Sequence, residues 1–268
     1  MSKNNLALLV FASILFSLQL SGAAQAETSR LQKIIAAKEI RVCIWPEYYG
    51  VTFRNPKTRM LSGIDIDLSS ELAKDLGVEL KYVDSSFPQL IDNLLANQCD
   101  IAMHAVGVIP ARSAKVQFTQ AYLRSDIYAI TTKAGTAIKT WEDLDKPGRV
   151  IAVQAGTIME PVMQQSLKQA KLVSIKLPMT REQEVESGRA DAFMTDYPYS
   201  RRMLETTDWA RLVAPPQTFH LTDYAYALAP GDKSLLDKVN AFISSIKKDG
   251  RLQSIAHKHK LDLIVAKD

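Results

Sequence analysis

The chain has 268 residues, of which 47% are hydrophobic and 23% are charged, and its formal net charge is +4. This composition is typical of a folded globular protein with enough chain for one large domain or two modest ones, and it excludes a disordered chain. The basic residues alternate with acidic ones and form no basic patch with interleaved aromatic residues, which argues against a nucleic-acid partner.

The N-terminus has the pattern of a secretory signal peptide. Lys3 precedes an apolar run over residues 6–20, and Ala24-Gln25-Ala26 has the small-residue pattern of a cleavage site. A membrane anchor is the alternative, but the run is shorter than the ~20 residues that a membrane-spanning helix needs. No cysteine stands at the cleavage point, so a lipid anchor is not expected. We therefore predict that residues 1–26 are removed after Ala26 and that the protein is exported.

The chain has two cysteines, Cys43 and Cys99, and both stand at predicted strand starts in the exported part. In an oxidising compartment such a pair is a candidate disulfide, and two buried free thiols are the alternative. We expect no metal site, because no Cys-x-x-Cys motif and no His-x-x-x-His pair accompanies the cysteines. No cofactor is expected either.

The first half of the exported chain alternates helices and strands, which indicates a doubly wound α/β layout. The crossovers of such a layout are right-handed, so the loops after its strands share one edge of the sheet. Four candidate site residues come from that edge: Tyr48, Phe87, His104 and Arg112. The predicted elements are, in order, helix 31–38, strand 40–44, helix 65–76, strand 78–83, helix 87–97 and strand 101–103.

The segment from Cys99 to Arg112 organises this half of the chain. A short apolar strand is followed by a turn of small residues and by a helix that starts at Pro110, a favoured first helical residue. Arg112 therefore lies where a strand ends and a helix begins, which is where open α/β sheets bind ligands. The alternative is that Arg112 pairs with an acidic residue at the helix start.

The second half repeats the alternation, with strands over 150–153, 172–177, 191–194 and 211–213. Helices are predicted over 158–170, 182–187 and 199–206, and the chain ends in an amphipathic helix over 234–259 that Gly250 breaks. Extended segments at 128–133 and 222–226 stand at mirrored positions and favour a hinge, although one large sheet is the alternative. We predict one lobe formed by residues 27–130 and 224–268, and a second lobe formed by residues 131–223.

Five segments stand in a characteristic order: Gly63-Ile64-Asp65-Ile66-Asp67, Leu76-Gly77-Val78, Asp100 to Arg112, Gly156-Thr157, and Gly188-Arg189-Ala190-Asp191-Ala192 with Asp196. In this order and spacing they resemble the periplasmic solute-binding proteins of polar amino-acid ABC transporters. The resemblance covers essentially all of the mature chain. It implies the two-lobed type II periplasmic-binding-protein fold, a periplasmic location, a monomer, and a partner permease in the inner membrane.

The resemblance also implies roles for residues that face the cleft. An arginine fork such as that of Arg112 would pair with a ligand carboxylate, Asp196 would accept from an ammonium group, and Thr157 would add a donor at a helix start. Such a site suits an amino acid, whose two charges cost several kcal/mol to bury unpaired. The structural alternatives are that Asp196 caps the helix that follows it and that Thr157 only caps its turn.

Aromatic residues and a departure from the family pattern concern the rest of the ligand. Tyr48 or Phe87 would stack on it, although Phe87 could equally belong to the core. Serines common in the family are replaced here at His104 and Gly107, and an acidic residue found in members with cationic ligands is replaced by Trp45. A strongly cationic ligand side chain is therefore not expected, and His104 is either a ligand contact or a buried structural histidine.

The predicted function is capture of an amino acid or related small carboxylate for uptake, with no catalytic residues. One alternative is a periplasmic enzyme that resembles cyclohexadienyl dehydratase, which would need a general acid. Glu47 and His104 are the only loosely suitable candidates. Another alternative is an accessory protein that presents its ligand to a membrane sensor. The sequence does not identify the ligand.

Overall fold

The computed structural model describes residues 28–231 and 233–267. The predicted signal peptide, residues 1–26, lies outside them. Within the described residues, no helix combines the length and the apolar character needed to cross a bilayer.

The described chain alternates short helices and strands along most of its length, together with two 3₁₀ helices, Trp141–Asp145 and Asp262–Ile264. In chain order the other elements are α1 (Arg30–Ala37), β1 (Glu39–Ile44), β2 (Glu47–Tyr48), β3 (Thr52–Arg54), β4 (Leu61–Ser62), α2 (Ile64–Leu76), β5 (Glu79–Asp84), α3 (Leu90–Leu95), β6 (Ile101–Gly107), α4 (Pro110–Ser113), β7 (Gln117–Phe118), β8 (Leu123–Ser125), β9 (Ile127–Thr132), β10 (Val150–Gln154), α5 (Met159–Ser166), β11 (Lys171–Ile175), α6 (Arg181–Glu186), β12 (Ala192–Asp196), α7 (Tyr197–Thr206), β13 (Ala210–Val213), β14 (Thr222–Leu228), α8 (Lys233–Lys248) and α9 (Arg251–Lys258).

The first lobe is built on a six-stranded sheet with the order β5-β1-β6-β14-β7, in which β8 also pairs with β14. Strands β5, β1 and β6 are parallel, and β14 runs antiparallel to β6. Every residue of β6 is buried, as expected for a strand that is covered on both faces. Helix α8 packs on this lobe through a stripe at helical spacing, formed by Leu235, Val239, Phe242, Ile243 and Ile246.

The second lobe has a five-stranded sheet with the order β11-β10-β12-β9-β13. Strand β10 pairs in parallel with β11 and β12, whereas β9 runs antiparallel to β12 and β13. Both sheets therefore combine three parallel strands from α/β units with antiparallel strands next to the lobe border. The ends of β6 and β12 face each other across that border and carry the candidate site.

The chain passes between the lobes at Asp126, between β8 and β9, and again at residues 214–221, between β13 and β14. The Asp126 carboxylate ties the two crossings together, because it accepts hydrogen bonds from the backbone N–H groups of Phe219 (2.9 Å) and His220 (2.7 Å). The first crossing lies a few residues before the predicted boundary at residue 130. The reason is that β9 pairs with β12 along Ile127 to Ile130 and therefore belongs to the second sheet.

Two local features fix the first lobe near the cleft. The small sheet of β2, β3 and β4 leads into α2 through Gly63, where a Cβ atom would lie 2.3 Å from the carbonyl oxygen of Val51. Only glycine fits this close approach, which occurs at a φ of +133°. Cys43 in β1 and Cys99 before β6 are joined by a disulfide with their Cα atoms 5.6 Å apart, which is one of the two states that the sequence left open.

Candidate functional site

Arg112 lies in α4, directly after the buried strand β6, and its residue is only 5% exposed. Its guanidinium donates to the carbonyl oxygens of Gly107 (Nη1, 3.0 Å) and Gly156 (Nη2, 2.9 Å) and lies 5.2 Å from the centre of the Phe87 ring. Burial lowers the pKa of Arg112 to about 10, so the side chain is still cationic at neutral pH. Among the described residues, no carboxylate forms an ion pair with it. Arg112 is therefore a buried cation that has only neutral partners.

Asp196 ends β12 in the second lobe and is also buried. Its Oδ1 atom accepts from the backbone N–H of Tyr199 (3.1 Å), so it caps α7 as the sequence alternative proposed. Its Oδ2 atom accepts from the hydroxyls of Tyr224 (2.8 Å) and Tyr48, which both belong to the first lobe. Burial, together with the charge of Asp196, raises the pKa of both tyrosines well above the usual value, so both phenols remain donors.

Arg112 and Asp196 line one cavity between the lobes, with a volume of about 20 Å³. This space holds about one water molecule and is too small for an amino acid. The cavity is so small because the lobes are closed on each other. Its other lining residues are Trp45, Tyr48, Phe87, Ala105, Gly107, Thr157, Ile158, Met159, Arg181, Thr195 and Tyr224.

Thr157 and Gly107 line the closed cleft from opposite lobes. Thr157 is buried in the turn between β10 and α5, and its hydroxyl donates to the carbonyl oxygen of Gln154 (2.8 Å), which leaves its oxygen free to accept. A Cβ atom at Gly107 would lie 2.8 Å from a methyl group of Ile158 in the other lobe. Gly107 therefore has two roles in the cleft: its lack of a side chain lets Ile158 approach, and its carbonyl oxygen accepts a hydrogen bond from Arg112.

Aromatic rings form one wall of the cavity. The ring centre of Trp45 lies 5.3 Å from both Tyr48 and Phe87, and the centres of Tyr48 and Phe87 are 5.8 Å apart. Two of these rings were predicted from the sequence as stacking residues. The third, Trp45, was noted only as a departure from the family pattern, and it lines the cavity as well.

His104 is fully buried and does not line the cavity. Its ring lies behind Phe87, with the two ring centres 5.2 Å apart, and its Nδ1 atom lies 3.3 Å from the carbonyl oxygen of Cys43. Burial lowers the pKa of His104 to about 4, and the nearby charge of Arg112 acts in the same direction. The structure therefore places His104 as a neutral residue of the layer behind the cavity, which is the structural alternative.

Two polar cavity residues with long side chains, Arg181 and Tyr224, are among those not identified from the sequence. Arg181, the first residue of α6, is buried and donates to the carbonyl oxygen of Met194 (3.0 Å) and to Thr195 Oγ1 (3.2 Å), while Glu182 balances its charge at 3.3 Å. Tyr224 comes from β14, on the far side of the hinge in sequence. Arg181 follows a helix-capping threonine and Tyr224 lies in a strand, so neither residue carries a local signal of a binding role.

Comparison with known proteins places the chain among two-lobed binding proteins. The family model described as bacterial extracellular solute-binding proteins, family 3, matches residues 40–262. Cyclohexadienyl dehydratase of Pseudomonas aeruginosa is 29% identical over 246 residues, which cover 91% of each chain. The L-cystine-binding protein TcyJ of Escherichia coli is 28% identical over 74% of each chain.

The similar solved structures include the crystal structure of the ancestral amino acid-binding protein AncCDT-1, a precursor of cyclohexadienyl dehydratase. It is 32% identical, with a TM-score of 0.79, and covers 86% of this chain and 99% of its own. A mutant arginine-binding protein of Thermotoga maritima is 27% identical, with a TM-score of 0.75, and covers 85% of this chain and 97% of its own. These similarities confirm the predicted two-lobed α/β fold.

Proposed function

The chain belongs to the bacterial extracellular solute-binding proteins of family 3, and from this premise we propose that it captures an amino acid or a related small carboxylate in the periplasm. Closure of the two lobes holds the ligand, and the closed form delivers it to the permease of an ABC importer. The relatives include proteins named for binding cystine, arginine and glutamine, which supports a ligand of this chemical class.

The observation that carries the proposal is the state of Arg112. A buried cation without an anionic partner costs several kcal/mol, whereas a bidentate carboxylate restores the lost solvation. The Gly156 carbonyl oxygen now occupies one arm of the guanidinium, at 2.9 Å. Because Gly156 belongs to the second lobe, parting of the lobes frees that arm for a ligand carboxylate.

Asp196 supplies the opposite charge. It faces the same cavity from the second lobe, and two phenol donors from the first lobe now occupy its Oδ2 atom. An ammonium group bound there takes over from one or both phenols. A zwitterion that contacts Arg112 and Asp196 bridges the lobes, so its binding favours the closed form over the open one.

The test is a thermal-shift screen against amino acids, keto acids and small dicarboxylates, followed by calorimetric titration of the ligand found. We expect Arg112→Ala to lose at least 100-fold in affinity, because two charge-assisted hydrogen bonds are lost. Arg112→Lys keeps the charge but not the fork, so it should lose less. The melting temperature of ligand-free Arg112→Ala should stay within about 4 °C of the parent, because relief of the buried charge offsets the two lost hydrogen bonds.

Arg124→Ala is the matched control, since this exposed arginine of the first lobe pairs with Asp223 away from the cavity. The control should bind like the parent. An Arg112→Ala variant that also binds like the parent would remove Arg112 from the site and contradict the proposal.

The similarity to cyclohexadienyl dehydratase supports a second candidate function, an enzyme that eliminates water from a cyclohexadienyl acid. Such an enzyme needs a group that donates a proton to the leaving hydroxyl. Among the described cavity residues, the one carboxyl group is that of Asp196, which accepts three hydrogen bonds instead of donating. Glu47 is exposed and His104 lies behind the cavity, so neither candidate lines it.

Incubation with prephenate and with arogenate separates the two functions. Turnover that disappears in Arg112→Ala would establish the enzyme and reverse our ordering. Binding of an amino acid together with no turnover of either acid is the result that we expect.

A further inference from the structure

A second, larger cavity lies beside the first one in the cleft between the lobes. Its volume is about 500 Å³, and Trp45 and Phe87 line both cavities. The first lobe contributes Pro88 to it, and the second lobe contributes Ala155 and Leu177. The two cavities are therefore neighbouring compartments of one cleft, and the rings of Trp45 and Phe87 stand between them.

The partition between the compartments is one ring thick. The centres of the Trp45 and Phe87 rings are 5.3 Å apart and the rings meet edge to face, while the Arg112 guanidinium lies 5.2 Å from the centre of the Phe87 ring. Phe87 is partly exposed, whereas Trp45 is buried. A rotation of the Phe87 side chain therefore connects the space next to Arg112 with the second cavity.

The second cavity offers an apolar surface. Most of its polar side chains have partners: Gln154 Nε2 donates to the carbonyl oxygen of Ile175 (2.9 Å), Glu160 Oε2 accepts from the backbone N–H of Gly156 (2.8 Å), and Ser86 Oγ donates to Gln89 Oε1 (3.0 Å). The remaining polar side chain of the lining, that of Lys176, is exposed. Leu177 is 51% exposed, although it is a large aliphatic residue. An apolar group in this cavity would cover Leu177 while Gln154, Glu160 and Ser86 keep these partners.

The sizes of the two compartments indicate which part of the ligand each one holds. About 20 Å³ beside Arg112 and Asp196 leaves room for charged head groups only after the lobes adjust, whereas about 500 Å³ lies within the range of small-molecule pockets. We infer that the ligand is an amino acid with a large apolar side chain, which passes the Trp45–Phe87 partition and fills the second cavity. This inference rests on the proposed function, because the head groups are those that Arg112 and Asp196 bind.

Gly156 determines where the ligand side chain enters the second cavity. Gly156 approaches Pro88 of the other lobe so closely that a Cβ atom would lie 2.8 Å from the proline ring. The carbonyl oxygen of the same glycine accepts a hydrogen bond from Arg112, so the carboxylate site and the apolar compartment meet at one peptide group. A carboxylate at Arg112 thus lies next to the entrance of the apolar compartment.

The experiment compares L-phenylalanine and L-alanine by calorimetric titration on the full mature chain. We expect L-phenylalanine to bind at least tenfold more tightly. Ala155→Leu, which adds a large side chain to the lining of the second cavity, should weaken L-phenylalanine at least tenfold and change L-alanine less than twofold. Leu177→Asp, at an exposed position that tolerates a charge, should weaken L-phenylalanine at least fivefold. Ala134→Leu, an exposed position in a surface bend of the second lobe, is the control and should change neither.

The outcomes separate this inference from the proposed function. If L-alanine or L-glutamate binds as tightly as L-phenylalanine, or if both cavity variants bind L-phenylalanine like the parent, the apolar compartment is not the side-chain site and the inference is overturned, while capture of amino acids stands. If no amino acid, keto acid or small dicarboxylate raises the melting temperature, the proposed function is overturned together with the inference.

Discussion

Asp65, at the start of α2, supports the site from behind. Its carboxyl group accepts from the backbone N–H of Ala105 (2.9 Å) and from the hydroxyls of Tyr122 (2.6 Å) and Tyr226 (3.1 Å). Ala105 lines the first cavity and has a φ of +47°, a left-handed conformation that is unusual for a residue other than glycine. The Asp65 hydrogen bond therefore holds the cavity backbone in a conformation that the chain would not favour alone.

Burial shifts the pKa values of Asp65 and His104 in opposite directions. It raises the pKa of Asp65 from 3.8 to about 7 and lowers that of His104 from 6.5 to about 4. Between these limits folding protonates Asp65 and deprotonates His104. The contribution of Asp65 to stability is therefore lost as the pH rises from about 4 to about 7, whereas that of His104 is gained over nearly the same range.

Removal of Asp65 or of His104 should reveal the pH dependence of stability that the other residue causes. Each contributes up to about 1.4 kcal/mol per pH unit, so the two nearly cancel in the parent. In Asp65→Asn, the free energy of unfolding in urea should rise by about 1 to 2 kcal/mol between pH 5 and pH 6.5, more than in the parent. His104→Asn should show a falling profile over the same interval. Identical pH profiles for the three proteins would contradict these assignments.

The sequence identified the charged pair of the candidate site better than its surroundings. Arg112 and Asp196 follow buried strands, and the ends of such strands are where ligands bind in this layout. The burial of His104 could not be read in the same way, because its position in the turn after a strand suits either role. Trp45 follows β1 and Tyr224 lies in β14, and the pairing of strands that are distant in sequence, which no local pattern reports, brings both to the cavity.

At the scale of elements, the disulfide fastens two neighbouring strands of the first sheet. Cys43 and Cys99 lie 56 residues apart in sequence and pack with Leu90, Leu94 and Val106 in a small apolar cluster. The link joins β1 to the segment that leads into β6, and the far end of β6 leads to α4, which carries Arg112. The bridge thereby ties the strand that leads to the site to the middle of the sheet.

We expect the double variant Cys43→Ala/Cys99→Ala to lose about 4 kcal/mol of unfolding free energy, from the entropy of closing a loop of this length in the unfolded chain. Urea unfolding of the parent and the variant, each with and without a reductant, measures the loss. The reductant should destabilise the parent and leave the variant unchanged. A parent that loses no stability on full reduction of the thiols would contradict the expectation.

The bounds of α2 and β13 were predicted to within one residue, whereas those of α5 were not. The predicted helix over 158–170 ends at Ser166 because the Asp145 carboxylate takes the backbone N–H groups of Lys168, Gln169 and Ala170, at distances of 2.8 to 3.0 Å. The small strands β2, β3 and β4 have two or three residues each and exist through their pairing with one another. Such contacts between distant residues leave no periodic signal in the sequence.

At the scale of the whole molecule, several contacts hold the lobes together outside both cavities. Arg202 of α7, in the second lobe, places its guanidinium 5.6 Å from the ring centre of Tyr49 and 5.3 Å from that of Phe53, both in the first lobe. Near the C-terminus, Lys260 Nζ of the first lobe lies 3.1 Å from Glu205 Oε1 of the second. These contacts favour closure without touching the ligand, so they raise the population of the closed form in the free protein.

The stack of Arg202 on Tyr49 and Phe53 should therefore set part of the affinity. Cation–π contacts of partly exposed groups contribute about 0.5 to 1 kcal/mol each, so loss of the two contacts in Arg202→Ala should weaken ligand binding by about 5- to 30-fold. The ligand-free variant should also have a larger radius of gyration in small-angle X-ray scattering, and saturation with ligand should restore the parent value. Tyr49→Ala should be less than additive with Arg202→Ala, because the two changes remove one shared contact.

Arg189→Ala, whose arginine pairs with Glu184 inside the second lobe, is the control and should leave the radius and the affinity unchanged. If Arg202→Ala matches this control in both measurements, the stack of Arg202 does not contribute to closure.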